Sequence, residues 1–233
     1  CAGDPVHFDE STSGGANYFQ WNFDDGNGFN WTSAGDQNHT FNTQGTYNVQ
    51  YTASIQGATA GCADTATAQV TVLPSPTAQF TLDADAACTS LTTNPTNTSS
   101  NAVNYLWDFG DGTTDTQFDP PPHTYSAAGD YTITLTAYNN QGCNDVTPKT
   151  VHVYPPPQPV IGAQNVCEGA PAQFTDLTVT DPGNPIDHWF WDLGDGATDT
   201  VQAPEHLYAG GGTYTVTLTT TTPYCSGTST ATI

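Results

Sequence analysis

Three kinds of reactive side chain recur at matched places along this 233-residue chain. Aspartates stand in Asp-Gly pairs at Asp25-Gly26, Asp111-Gly112 and Asp195-Gly196. Histidines stand two residues before a ring, as His39-Thr40-Phe41, His123-Thr124-Tyr125 and His206-Leu207-Tyr208. Cysteines stand near both ends of each copy, at Cys1, Cys62, Cys88, Cys143, Cys167 and Cys225. Carboxylates gathered on a turn are ligands for a hard cation such as calcium. Imidazole with thiolate or carboxylate is the usual zinc set, and regularly paired cysteines close disulfides in an oxidising compartment.

Each chemistry has a competing structural role. Asp-Gly is also the sequence of a tight turn, with glycine at positive φ and the aspartate bonded to the local backbone, and that role is the favoured one here. The first copy is the exception. Asn22, Asp24, Asp25 and Asn27 gather there as a candidate calcium site, although their spacing is not that of an EF-hand loop. The histidines recur once per copy with no third or fourth ligand at zinc spacing, so they read as structural hydrogen-bonding groups. No nucleophile elbow or phosphate-binding loop occurs, and a catalytic group is seldom written three times, so the chain reads as no enzyme. No cofactor is required, with calcium the one candidate.

The elements that hold these residues follow from period. Tyr131-Thr-Ile133-Thr-Leu135-Thr-Ala137 alternates apolar with Thr, as do Tyr47-Asn-Val49-Gln-Tyr51 and Tyr214-Thr-Val216-Thr-Leu218, the pattern of strands with one face buried. Trp21, Trp107 and Trp191 recur about every 85 residues, too long a period for one layer of a solenoid, so each copy is a small domain. Antiparallel strands around a core Trp predict an all-β chain: three tandem immunoglobulin-like β-sandwiches in a linear array. The expected domains are 1–74 with its leading strand missing, 75–155, and 156–233 with its last strand truncated. Leu73-Pro74-Ser75-Pro76 and Tyr154-Pro155-Pro156-Pro157 join them, and proline holds such linkers extended. Pro76–Ala87 and Pro156–Val166 have no counterpart ahead of Cys1. A window on a longer array accounts for this, as does a strand donated by a neighbouring molecule.

Domains of this size need a staple. The repeat predicts bridges Cys1–Cys62, Cys88–Cys143 and Cys167–Cys225, each closing a loop of about 60 residues and stabilising its domain by roughly 4 kcal/mol. That pairing seals each third separately and leaves no cysteine to link one copy of the chain to another. It places the protein outside the cytoplasm.

One Lys, no Arg and 23 acidic residues give a formal charge of −22. Nucleic acid is excluded as a partner, since nothing basic neutralises phosphates, and an anionic membrane surface is equally unsuited. No apolar run reaches the length of a membrane span. Lys149 lies in the middle copy, so a Lys–Asn isopeptide brace in every domain is excluded too.

Trp107-Asp-Phe-Gly-Asp-Gly112, His123-Thr-Tyr125 and Gly129-Asp-Tyr-Thr-Ile-Thr-Leu135 resemble the polycystic kidney disease (PKD) domain. The resemblance covers essentially the whole chain. The first copy departs at Asn22 and Asp24 and carries a longer stretch from Gly26 to Gln37. The resemblance implies a β-sandwich of extracellular proteins, as in archaeal surface layers, in accessory regions of secreted collagenases and chitinases, and in large adhesins of gliding Bacteroidetes, whose cysteine placement is similar. The function expected is a stiff stalk, filament or adhesin shaft, cell-surface or secreted. The alternative is an accessory carbohydrate- or protein-binding module of a secreted hydrolase. Partners would be neighbouring repeats, other chains in a fibre, or a surface glycan or protein. Phe29 and Trp31, with Tyr224, are candidate glycan contacts or a local cluster. Asp64-Thr65-Ala66 and Asp199-Thr200-Val201 resemble the Bacteroidetes O-glycosylation acceptor, which marks Thr65 and Thr200. Asn30, Asn38 and Asn97 fit the N-linked sequon.

Overall fold

The structure, a computed structural model, describes residues 1–11, 15–27, 29–32, 36–55 and 63–233, with the strand Phe29–Thr32 described by its backbone. Every regular element among the described residues is a strand. By contact they form two compact units. One holds Cys1–Gln79, Thr98–Leu106 and Leu135–Thr147; the other holds Phe80–Asn97, Trp107–Thr134 and Pro148–Ile233.

In the first repeat, Phe29–Thr32, Tyr18–Asn22, Gly45–Ser54 and Ala63–Val72 form a four-stranded sheet in that order, and Pro5–Phe8 pairs antiparallel with Gln37–Thr40. The inward alternate residues make one core of Trp21, Phe23, Phe41, Tyr47, Val49 and Val72. The third repeat repeats this plan. Thr198–Asp199, His188–Asp192, Thr215–Thr221 and Ser226–Thr232 make the larger sheet, and Ile161–Ala163, Ala172–Asp176 and Glu205–His206 the smaller. Trp191, Ala172, Val216 and Leu218 are fully buried in it. In the middle repeat Ile133, Leu135 and Ala137 are inaccessible while the intervening threonines are not, as the period-two pattern predicts. Its larger sheet also contains a parallel pair, Ala86–Cys88 alongside His152–Tyr154.

The disulfides differ from the expected set. Cys1 is bonded to Cys143 and Cys88 to Cys225. Cys167 is a free, exposed thiol, and Cys62 lies outside the described residues. Each bridge therefore joins the leading cysteine of one repeat to the trailing cysteine of the next, instead of sealing a repeat on itself.

Strand length explains the correction. In the third repeat Cys225 precedes Ser226–Thr232, a strand of 7 residues, and Cys167 shares a cleft with Ile233 at the far end. Seven residues of strand span roughly 23 Å, whereas bridged Cα atoms lie about 5.5–6 Å apart. The leading cysteine is instead held where the chain leaves its repeat. Ala2 N donates to Leu73 O at 3.0 Å and Thr89 N to Tyr154 O at 2.9 Å, each carbonyl directly ahead of a linker proline. The trailing turn of the following repeat folds onto that same link. Asn139 Nδ2 donates to Pro74 O at 2.7 Å, and Cys225 Sγ lies 3.6 Å from Tyr154 O.

Candidate functional site

The three Asp-Gly aspartates and the three histidines meet in pairs. His39, His123 and His206 each place Nε2 at 2.8 Å from a carboxylate oxygen, of Asp25, Asp111 and Asp195 respectively. Each histidine lies on a strand of the smaller sheet and each turn follows the Trp strand of the larger, so the contact ties the two sheets together, and the turn aims the carboxylate. Asn27, Thr113 and Ala197 donate their backbone N–H to the same aspartates at 3.2, 3.0 and 3.0 Å. Two of the imidazoles stack on the ring that directly follows the Trp strand, His39 on Phe23 at 3.9 Å and His123 on Phe109 at 4.0 Å.

Burial opposes ionisation of Asp25, but hydrogen bonds from Asn27 and His39 outweigh it and hold the carboxyl below its ordinary range. Asp111 is lowered against the same burial by Thr113 and His123. The backbone N–H of Ala197, followed by His206, lowers Asp195. A carboxylate satisfied this way fixes a turn to a strand.

The candidate calcium ligands are engaged in similar bonds. Asn22 Oδ1 accepts Asp24 N at 3.0 Å, Asp24 Oδ2 accepts Asn48 N at 3.0 Å, and Asp25 Oδ2 accepts Asn27 Nδ2 at 2.9 Å. Asp24 has φ 59° and stands where the other repeats have Gly110 and Gly194, at 75° and 83°. Its departure from the repeat is thus a substitute for glycine, with a side chain that ties the turn to Asn48.

Sequence spacing missed one acidic group. His7, Asp9 and Asp36, all exposed, place ligand atoms within 4.8 Å of one another. The antiparallel register of Pro5–Phe8 with Gln37–Thr40 assembles them across a gap that no local motif bridges. The side-chain hydrogen bond to Asn38 raises the His7 pKa, slight desolvation opposes that, and Asp9 and Asp36 add to the rise.

The glycan candidates separate. Asn97 is corrected as an N-linked acceptor: it is buried, and its Nδ2 donates to Phe118 O at 3.0 Å. Thr65, Thr200 and Asn38 are exposed, with Thr65 Oγ1 3.0 Å from Thr52 Oγ1 and Asn38 Oδ1 2.8 Å from His7 Nδ1. The side chains of Asn30, Phe29 and Trp31 lie outside the described residues. Tyr224 stacks on Tyr154 at 5.1 Å, a local cluster. Lys149 Nζ lies 5.4 Å over the Phe80 ring.

A family model described as PKD domain matches residues 1–72, 73–154 and 152–233. The pre-pro-metalloprotease PrtV of Vibrio cholerae is 35% identical over 81 residues, covering 35% of this chain and 9% of that protein. Human polycystin-1 is 32% identical over 143 residues, covering 50% of this chain and 3% of that protein. The crystal structure of the PKD1 domain of the Vibrio cholerae protease covers 34% of this chain and 98% of its own, with 38% identity and a TM-score of 0.31. The matched region is therefore a small part of these curated relatives.

Proposed function

The chain belongs to the PKD-domain family, and from that premise we propose that it is a non-enzymatic, extracellular structural segment, a load-bearing stalk of a larger cell-surface or secreted protein. The observation that carries this reading is the pair of disulfides passing from one repeat into the next. A bridge inside a domain resists unfolding of that domain; a bridge between consecutive domains also limits how far they separate under tension. The thrice-written Asp–His pairs agree with a scaffold role, because their acceptors are already occupied by the protein's own donors. Among the described residues no helix is long and apolar enough to cross a membrane. The unbalanced negative charge favours repulsion between neighbouring molecules over collapse.

Single-molecule extension by the two ends tests the reading, with Cys167 alkylated beforehand. The shortest covalent path runs from Cys1 through Cys143, back along the chain to Cys88, and through Cys225 to Ile233. At about 3.5 Å per residue the oxidised chain should reach roughly 220 Å, and the reduced chain about 800 Å. Equal limits before and after reduction would remove the load-bearing role.

A further inference from the structure

The two bridges follow one rule, leading cysteine of a repeat to trailing cysteine of the next, and the rule leaves Cys167 as a leading cysteine without its partner. We propose that Cys167 is a covalent docking point for a following repeat of the same kind, its sulfur bonding the cysteine that stands in that repeat where Cys143 and Cys225 stand in theirs. The inference rests on the reading of the chain as a stapled structural segment.

Cys167 is built like its bonded counterpart. Ala170 N donates to Cys167 O at 3.0 Å, as Asp4 N does to Cys1 O at 3.2 Å. Gly169 and Gly3 hold the turn with φ 86° and 90°. The thiol stands at a cleft of about 290 Å³ lined by Gly169, Tyr208, Gly211, Tyr214 and Ile233. In the first two repeats the residue after the leading cysteine donates to a carbonyl at the end of the last strand, Leu73 or Tyr154. A following repeat docked at this end would bring its trailing cysteine to Cys167, as in both observed bridges.

Bond formation removes one proton and one electron from each of two thiols as the S–S bond forms. An exogenous disulfide, of an oxidoreductase or a small thiol, accepts the two electrons and is cleaved to two thiols. The partner repeat has two sources with the same chemistry: the next repeat of one polypeptide, or the first repeat of a second copy, which supplies Cys62 by its place in the sequence.

The native protein, with free thiols trapped by N-ethylmaleimide under denaturation, is cleaved at acidic residues and mapped by mass spectrometry without reduction. The expected result is loss of the label from Cys167 and its recovery in a disulfide with a trailing cysteine of another PKD repeat. A partner peptide containing Cys62, together with a multimeric non-reduced mass, assigns a second copy. A partner of different sequence at the mass of one polypeptide assigns the next repeat. Labelled Cys167, Cys167 capped by a small thiol, or a Cys62–Cys167 bond within a single chain overturns the proposal. Cys167→Ser should lose the link while the other two bridges remain; a link that persists in it also overturns the proposal. If Cys1–Cys143 and Cys88–Cys225 are themselves missing from the map, the stalk reading falls with it, whereas their presence beside a labelled Cys167 leaves that reading standing.

Discussion

Asp24 does for the first repeat what glycine does for the other two. A Cβ on Gly110 would lie 2.7 Å from the Thr132 carbonyl oxygen, and one on Gly194 would lie 2.5 Å from that of Thr215, both at positive φ. Gly110→Ala must move backbone as well as adopt a strained conformation, so it is expected to cost about 2–4 kcal/mol in urea unfolding. At Asp24 the left-handed conformation is tolerated by a short polar side chain, whose carboxylate accepts Asn48 N. Asp24→Ala should cost about 1–2 kcal/mol, by the same amount in millimolar calcium as in chelator; a loss seen in calcium alone would assign Asp24 to a metal site. Asp83 is a carboxylate whose role no motif announced. The backbone N–H of Asn94 at 2.7 Å, then its side-chain amide at 2.5 Å, bring its pKa from 3.8 to about 2. Its folded form therefore binds fewer protons than its unfolded form between those values. The stabilisation is complete above about pH 4 and is lost as pH falls toward 2. Urea midpoints of the wild type and Asp83→Asn should differ at pH 5 and converge near pH 2; a constant gap would show that the charge is not the cause.

At the scale of elements, the strands were legible because a buried face and a wet face impose period two, visible in Tyr131 to Ala137 and confirmed by the burial of Ile133, Leu135 and Ala137. The Asp–His pairs were half legible: recurrence marked both residues as structural, but their meeting depends on how the two sheets of a repeat pack face to face. Cysteine pairing was not legible, because identical repeats offer the same residues to an internal and to a neighbouring partner. Strand length and the position of the linker decide between them. Asn139 shows how the decision is enforced. Its Nδ2 holds Pro74 O, and its Oδ1 accepts Gln141 N at 3.0 Å and Cys143 N at 2.9 Å, in a nearly buried setting. Thr222 plays the related part ahead of Cys225, accepting its N–H at 2.9 Å. Asn139→Ala leaves a buried carbonyl and two N–H groups without these partners, at a cost of about 2–3 kcal/mol. Refolding in a glutathione buffer should then yield less Cys1–Cys143 peptide with Cys88–Cys225 unaffected. An unchanged yield would mean that the linker positions Cys143 without this clasp.

At the scale of the molecule, the bridges span 142 and 137 residues and overlap between Cys88 and Cys143. A loop of that length removes enough unfolded-chain entropy to stabilise by about 5 kcal/mol for the first bridge closed, with native strain lowering the figure. The second gains less, since part of its loop is already constrained. Overlap gives the repeats unequal dependence. Residues before Cys88 are constrained by the first bridge, those after Cys143 by the second, and the stretch between them by both. Paired serine substitutions should therefore leave a distinctive pattern of amide exchange. Cys1→Ser with Cys143→Ser should lower protection in Gly45–Ser54 and spare Thr215–Thr221, while Cys88→Ser with Cys225→Ser should do the reverse. Protection in Gly129–Tyr138 should fall in both variants, because that strand lies inside both loops. If each pair of substitutions instead softened one third of the chain and left Gly129–Tyr138 protected, the repeats would be energetically self-contained and the bridges mere tethers between them.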